Sequence, residues 1–440
     1  MGLHDVAVDD LPEHLQQWTI KLAGEIHRLL SDADLSAAES EEELLELLRD
    51  AGCEALGKGL SEKYGRQTGP RRRCACGLWQ KFEGYRAKTL VTVLGAVCYE
   101  RAYYRCGECK RSHYEGDDAL GVGGGSFSLP AQEAVALVCS EVPFEAGREL
   151  LERLTGIEIS NSHAQTITCR HGEELEQRAE AERDALFAGE LEMLAEGRPD
   201  RLYVALDGLK MPFTDDWHEV KIGAVYDVTV GEDGMDQPRR VSYASGAWEG
   251  PEAFGRRLYQ EAAHRGIEWA TEQVALGDGA QWIWNLVDEH LPRAVQILDF
   301  YHASERLYEV GRAVYGEGTK CAREWAEANR ERLWEGRLAD VLRSLRSLKP
   351  ETEEGREAVR RAIGYYQQNR KRMDYPAYRA RGYHVGSGVV EAACKTVAAA
   401  RCKRSGMRWS RTGAQSVLSL RTQRLNGRWD SYWQPLKAAC

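Results

Sequence analysis

Three acidic residues in this sequence stand in settings that suit metal-dependent chemistry on phosphodiesters. Asp207 in LYVALDG and Asp278 in QVALGDGA each follow an apolar, β-branched run, which predicts that both lie at strand ends. Glu391, in GSGVVEAACK, opens a predicted helix that continues into a basic segment. Converging carboxylates can bind two Mg²⁺ or Mn²⁺ ions, which activate an attacking oxygen and stabilise a leaving oxygen. The sequence therefore predicts a two-metal catalytic site at these three positions.

Each acid also has a structural interpretation. A lone Asp–Gly pair usually closes a turn, and Asp278 before GAQWIW could cap a helix. The joint occurrence of the three acids, in this order and on these elements, favours the catalytic interpretation. Glu305, Glu309 and Asp374 are weaker candidates for the third ligand.

A histidine lies three residues after an acid that follows the predicted strand AVQILDF. In this Asp299-Phe-Tyr-His302 segment, His302 could orient the scissile phosphate or a nucleophilic water. It could equally be a packed, hydrogen-bonded histidine, so both interpretations remain open.

The twelve cysteines include two closely spaced pairs, separated by a segment of strand character. Four thiolates on two such turns fit a closed tetrahedral Zn²⁺ site of the structural kind, with His113 as a substitute ligand. The arginines at 71–73 precede the first pair and could contact phosphates. A cysteine cluster of this kind indicates a reduced cytosolic protein with a metal site. The predicted zinc ligands are Cys74, Cys76, Cys106 and Cys109.

Charge is distributed unevenly along a chain whose net charge is −10. Residues 31–54 carry nine acids and one base, which suits a solvated helical face. Residues 392–429 contain nine Lys or Arg and no acid, so we expect this segment to hold DNA backbone near the metals. Trp409 within it could stack on a base or fill the core. The predicted DNA-binding residues are Lys395, Arg401, Lys403, Arg404, Arg408, Trp409 and Arg411.

With 440 residues, the chain is long enough for about two to four domains. It has no apolar run of about eighteen residues and no secretory N-terminus, so we expect a cytoplasmic, nucleoid-associated protein. Three antiparallel strands, a helix and a parallel strand predict an RNase H-like domain. We expect a multidomain fold of α+β and α/β type. Its parts are N-terminal helices (1–70), a zinc-ribbon-like β domain (71–120), a helix-turn-helix-like DNA-binding region (128–198), the RNase H-like catalytic domain (199–302 and 381–430) and a helical insertion (303–380).

Several segments resemble a known enzyme family. LDG, ALGDGAQWIW, DFYHASERL and GSGVVEAACKTVAAARCKRSGMRWS are similar to catalytic segments of bacterial insertion-sequence DDE transposases of the IS-Kra type, distantly related to Mutator-like enzymes. The resemblance spans roughly residues 70–430. It implies that Asp207, Asp278 and Glu391 bind the catalytic metals and that Asp299 and His302 form an auxiliary motif. The 113 positions between the second and third acids imply a helical insertion.

The function expected from this resemblance is DNA transposition. The protein would bind terminal inverted repeats in double-stranded DNA, cleave at element ends and join them to target DNA. A homo-oligomer, at least a dimer on DNA, is expected because two ends must be brought together. The alternatives are an RNase H-like nuclease or resolvase without strand transfer, and a DNA-binding regulator that has lost catalysis.

Overall fold

The computed structural model describes residues 13–117, 119–122, 125–192 and 195–439. These residues form a mixed α/β structure with two sheets, and they divide into two compact units, which fall within residues 1–167 with 431–440 and within residues 168–430. Residues 1–12, 118 and 193–194, which fall within three of the predicted domains, lie outside the described residues. No helix in the described part of the chain combines the length and the apolar character that a membrane crossing requires.

The first unit begins with two helices, α1 (Glu13–Leu30) and α2 (Ala37–Tyr64). A capping box starts α2, because Ser36 accepts a hydrogen bond from the backbone N–H of Glu39 and the Glu39 carboxylate accepts one in return. These helices agree with the apolar periodicity of the sequence in this region.

An antiparallel sheet follows, with its strands in chain order. It consists of β1 (Arg71–Arg73), β2 (Trp79–Val91), β3 (Ala96–Cys106) and β4 (Ser112–Tyr114). Leu60 of α2 packs against Leu90, Val97 and Tyr99 of β2 and β3, so this helix covers one end of the sheet.

Three further helices are α3 (Leu129–Glu141), α4 (Phe144–Thr155) and α5 (Asn161–Phe187). Gly156 ends α4 in the left-handed conformation, at φ 71°, and Ser160 accepts a hydrogen bond from the His163 N–H to start α5. Residues 156–160 therefore form the turn of the predicted helix-turn-helix-like pair.

The second unit is built on a five-stranded sheet. Its elements are β5 (Arg201–Pro212), β6 (Trp217–Val230), β7 (Asp236–Ala247), α6 (Pro251–His264), β8 (Glu272–Gly277), α7 (Gln281–His290) and β9 (Val295–Leu298). The spatial order is β7-β6-β5-β8-β9, with β5, β6 and β7 antiparallel and with β8 and β9 parallel to β5. The sequence predicts this succession of strands and helices.

The boundary between the units falls within α5, at residues 167/168, whereas the sequence predicts one helical region over 128–198. The later part of α5 belongs to the second unit, where its Glu176 pairs with Arg257 of α6 at 2.8 Å. Local periodicity carries no information about this ion pair.

Helices separate β9 from the segment that contains Glu391. They are α8 (Phe300–Tyr315), α9 (Lys320–Trp334), α10 (Leu338–Ser347), α11 (Glu353–Gln368) and α12 (Tyr375–Ala380). Buried tyrosines hold them in place: Tyr366 of α11 donates to the Ala303 carbonyl of α8, and Tyr375 of α12 donates to the Leu298 carbonyl at the end of β9 at 3.2 Å. These helices share the core of the sheet.

One helical stretch, residues 388–402, carries the third acid. It comprises α13 (Gly388–Ala393), a π-helical segment (Cys394–Ala399) and α14 (Ala400–Cys402). After a break at 403–410, α15 (Arg411–Leu425) follows, and α16 (Trp429–Ala438) ends the described chain. The break includes Ser405 and Gly406.

Candidate active site

Asp207 and Asp278 lie at the same edge of the second sheet. The parallel pairing of β5 with β8 ends at Ala205 and Leu276, and each acid lies two residues beyond this pair. The sequence suggests that Asp207 ends its strand, but β5 continues along β6 to Pro212. Asp207 lies just beyond the part of β5 that pairs with β8, so the two carboxylates occupy equivalent places on adjacent strands.

The Asp207 carboxylate is largely buried and has two donors. The Gly208 N–H donates to Oδ1 at 2.7 Å, and the Cys394 thiol donates to Oδ2 at 3.4 Å. Burial raises the pKa of Asp207 above its usual value, and the negative charge of Asp278 raises it further. Asp207 is thus an acid held away from water beside a second acid.

Glu391 is connected to Asp207 through Cys394, one helical turn later. Burial, and then the negative charges of Asp207 and Glu391, raise the pKa of the Cys394 thiol. Ser387 donates from Oγ to Oε1 of Glu391 at 3.1 Å and so fixes its orientation. Asp207 and Asp278 thus lie at one sheet edge, and the helical turn that carries Glu391 contacts Asp207 through Cys394. Sequence reasoning missed Cys394 and Ser387, whose signal is their spacing of three and four residues from Glu391.

Asp278 occupies a tight turn, not a helix cap. Its Oδ1 accepts a hydrogen bond from the Ala280 N–H at 2.9 Å, whereas the N-cap of α7 is Ala280 itself. The Asp278 carbonyl accepts a hydrogen bond from the Tyr365 hydroxyl at 2.7 Å. Gly279 has φ +98°, and a Cβ there would lie 2.6 Å from the Tyr365 ring, so only glycine fits.

Asp299 joins two distant segments beside these acids. Its fully buried carboxylate accepts the His302 N–H at Oδ1, 2.6 Å away, and the Ser387 N–H at Oδ2. The Phe300 N–H also donates to the Val385 carbonyl at 2.8 Å. The start of α8 is therefore bonded directly to the loop that leads into α13.

His302 lies close to Asp299. Its Nδ1 lies 3.9 Å from Asp299 Oδ1, and its side chain is partly exposed. A positive charge on His302 lowers the pKa of Asp207. Both interpretations of this histidine, packing and site, agree with its position.

Ion pairing distinguishes the three acids from Asp236. In the described part of the chain, none of the three forms an ion pair with Lys or Arg, whereas buried Asp236 pairs with Arg201 at 2.5 Å. Carboxylates without basic partners fit hard divalent cations, which prefer oxygen ligands. The three carboxylates do not form a group as tight as the cysteine cluster described below.

The rival third ligands are otherwise engaged or exposed. Glu309 pairs with Arg306 at 2.9 Å, and Asp374 caps α12 by accepting the Ala377 N–H. Glu305 is exposed on α8. Glu391 therefore remains the third acid of this region.

Two of the predicted DNA-binding residues are buried, which corrects the prediction for them. Trp409 is buried and its indole N–H donates to the Cys402 carbonyl at 2.9 Å, so it is a core residue and does not stack on DNA. Arg401 is also buried and lies over the Trp409 ring at 5.1 Å. The exposed members are Lys395, Lys403, Arg404, Arg408 and Arg411.

The four cysteines of the first unit form a second candidate site. Their sulfur atoms all lie within 4.8 Å of one another, and among the described residues they are the one group of three or more potential ligands gathered so closely. Backbone N–H groups of Cys109 and then Glu108 lower the pKa of Cys106 to about 7. His113 is not part of the group and lies 3.7 Å from Glu115. Four thiols in this arrangement could hold a structural metal ion such as Zn²⁺.

Comparison with known proteins identifies one family. The model of a family described as an uncharacterised protein family (UPF0236) matches residues 30–432. No curated protein matches the chain.

Proposed function

We propose that this chain, which belongs to the uncharacterised protein family UPF0236, is a DNA transposase that cleaves and joins DNA strands with divalent metal ions. The observation that carries the proposal is that Asp207 and Asp278 lie at one edge of the second sheet, while the helical turn that carries Glu391 contacts Asp207 through Cys394. Among the described residues, none of these acids forms an ion pair with Lys or Arg. The order β7-β6-β5-β8-β9, with the first three strands antiparallel, supports an RNase H-like catalytic domain. The resemblance to IS-Kra type transposases supports the same assignment.

The metal ions would be held by Asp207, Asp278 and Glu391. A Mg²⁺ or Mn²⁺ pair bound there would supply activation of the attacking oxygen and neutralisation of charge on the leaving oxygen. Ser387 and Cys394 orient two of the acids by hydrogen bonds. His302, partly exposed beside Asp207, would orient the scissile phosphate or the attacking water.

The substrate proposed for this site is double-stranded DNA that carries the ends of a mobile element. Exposed cations lie before, within and after the 403–410 break, which follows the helical stretch that carries Glu391. They would contact the phosphates of the bound strand. The chain would act as a homo-oligomer on DNA, because strand transfer requires two ends at once.

The test is a cleavage and strand-transfer assay on a plasmid that carries the DNA flanking both sides of the gene. With Mg²⁺ or Mn²⁺, we expect cleaved ends and joined products. Asp207→Asn, Asp278→Asn and Glu391→Gln should each lower both products by about 10²–10³-fold or more, because each removes a charged metal ligand. DNA affinity, measured by fluorescence anisotropy, should stay within about twofold, since these acids do not contribute to backbone attraction.

Glu305→Gln is the matched control, since this exposed acid lies in the same region of the chain and should retain activity. Cleavage without joined product would favour a nuclease or resolvase. Full activity of Asp207→Asn would contradict the proposed site.

A further inference from the structure

The register of the first sheet places three exposed cations side by side. Arg71 of β1 lies opposite Lys81 of β2, and Lys81 lies opposite Arg105 of β3. Residues directly opposite in an antiparallel sheet share a face and lie close together. All three side chains are exposed. Arg71, Lys81 and Arg105 are termed the cation row below.

The cation row is unfavourable for folding when nothing is bound to it. Like charges directly opposite each other destabilise a sheet. Within the described residues, no carboxylate forms an ion pair with any member of the row. Two neighbouring cations differ: Arg72, in the intervening position of β1, pairs with Glu115 at 3.5 Å, and Arg101 pairs with Asp117. A bound polyanion would remove the repulsion within the row.

An aromatic side chain extends the same face. Trp79 lies opposite Arg73, with the guanidinium 4.3 Å from the ring centroid, and both are two residues from members of the row. Trp79 is 48% exposed, which is unusual for so large an apolar side chain. The exposed face thus combines four cations with one flat aromatic surface.

The local charge is opposite to that of the whole chain. Residues 66–111 contain eleven Lys or Arg and three acids, whereas the protein carries a net charge of −10. A cationic region on an acidic protein attracts polyanions locally while the rest of the molecule repels them. This contrast favours a specific docking face over general charge attraction.

We propose that the cation row, together with Arg73 and Trp79, docks on the sugar–phosphate backbone of duplex DNA. The inference rests on the proposed function in that DNA is the substrate, and it assigns DNA backbone binding to a face of the first unit. Strands are spaced by about 4.8 Å, so the row is about 10 Å long and matches roughly three nucleotides of one DNA strand. Such contacts position the protein on DNA without reading its sequence.

The test replaces all three members of the row, as Arg71→Gln, Lys81→Gln and Arg105→Gln together. Binding to a fluorescein-labelled duplex of about 30 bp and arbitrary sequence is measured by anisotropy across a salt titration. The slope of log affinity against log salt should become shallower by about 2.7, and affinity at about 0.1 M salt should fall roughly 100-fold. The matched control, Lys21→Gln, Arg28→Gln and Lys58→Gln on α1 and α2, changes net charge equally and should bind like the unchanged protein.

A second readout separates loss of contact from loss of fold. The thermal midpoint of the triple variant without DNA should stay the same or rise, because the mutual repulsion of the row is removed. The charge-preserving pair Arg71→Lys and Arg105→Lys should bind with near-normal affinity and slope. A lower midpoint in the triple variant, with weak binding in the charge-preserving pair as well, would assign the row a structural role and overturn the proposal.

Further outcomes would also overturn it. One is an unchanged salt-dependence slope for DNA binding by the triple variant. Another is an equal loss of DNA affinity in the control variant. A third is a loss of affinity that is confined to single-stranded RNA in a parallel titration. The outcome is distinguishable from that of the catalytic proposal. If DNA binding depends on the cation row but no cleavage occurs, this inference stands and the transposase assignment does not. If cleavage occurs but DNA binding does not depend on the row, the transposase assignment stands and this inference does not.

Discussion

At the scale of single residues, the most consequential side chain that does not contact metal or DNA is Asp299. Its two oxygens accept backbone N–H groups from His302 and from Ser387, 88 positions away. Hydrogen bonds to a carboxylate are stronger than those between neutral groups. Because Ser387 in turn donates to Glu391, Asp299 fixes the place from which the third acid approaches the site. Asp299 is therefore a positioning residue.

Asp299→Asn tests this role. The amide keeps the size of the carboxylate but presents an NH₂ group to one of the two N–H donors, so the loop before α13 should shift. We expect cleavage to fall about 10–100-fold, as for other residues that hold metal ligands in place. The Mg²⁺ concentration for half-maximal activity should rise, with DNA affinity unchanged.

Asp374→Asn is the control for Asp299→Asn, since Asp374 caps α12 through its Ala377 N–H contact and has no contact with Glu391. It should leave the Mg²⁺ dependence as it is. Unchanged cleavage and Mg²⁺ dependence in Asp299→Asn would show that α13 is positioned without this carboxylate.

At the scale of elements, the helix that carries the third acid changes its winding next to the site. Residues Cys394–Ala399 are π-helical, a form that is rare and found mostly at functional sites. The buried Arg421 side chain of α15 donates from Nε to the Val397 carbonyl at 2.8 Å and from Nη2 to the Thr396 carbonyl. These side-chain bonds satisfy carbonyls of the widened turn, which begins at the residue that contacts Asp207.

Arg421→Met should destabilise this arrangement. It keeps much of the side-chain volume but leaves the Val397 and Thr396 carbonyls without this donor, at a cost of about 1–3 kcal/mol for the buried Val397 contact. The urea midpoint of the second unit should fall, and strand cleavage should fall with it because Cys394 no longer lies against Asp207. Arg343→Met, on the exposed face of α10, is the control and should change neither quantity. Equal midpoints for the two variants would contradict the role assigned to Arg421.

The strands and the acids can be predicted from the sequence, whereas most of the contacts among them cannot. The apolar, β-branched runs and the Asp–Gly pairs that follow them are local patterns, so the strands and the candidate acids could be predicted. The burial of Arg401 and Trp409 could not, because it depends on the packing of residues 403–410 against distant elements. The Asp299–Ser387 link and the π-helical segment likewise depend on partners that are far away in the chain.

At the scale of the whole molecule, the two candidate metal sites belong to different units. The carboxylates lie in residues 168–430, and the four thiols lie in residues 1–167. The first sheet has few buried apolar residues: Leu90, Val97, Tyr99, Ala102, Tyr104 and Cys106, with Leu60 of α2 packed against the first three. A small core of this kind usually needs an additional crosslink, and a structural Zn²⁺ site contributes directly to folding.

Removal of zinc should therefore loosen the first sheet and leave the second intact. We expect Cys106→Ser, or treatment with a chelator, to abolish amide-exchange protection in β2 and β3, because Cys106 ends β3 and would lose its link to the turn after β1. Protection in β5 and β8, which do not depend on the thiols, should stay as it was. Cys321→Ser, at an exposed cysteine of α9, is the control and should alter neither sheet. If chelation left β2 and β3 fully protected, the thiols would have no structural metal to lose, and the sheet would be held by its small core and α2 alone.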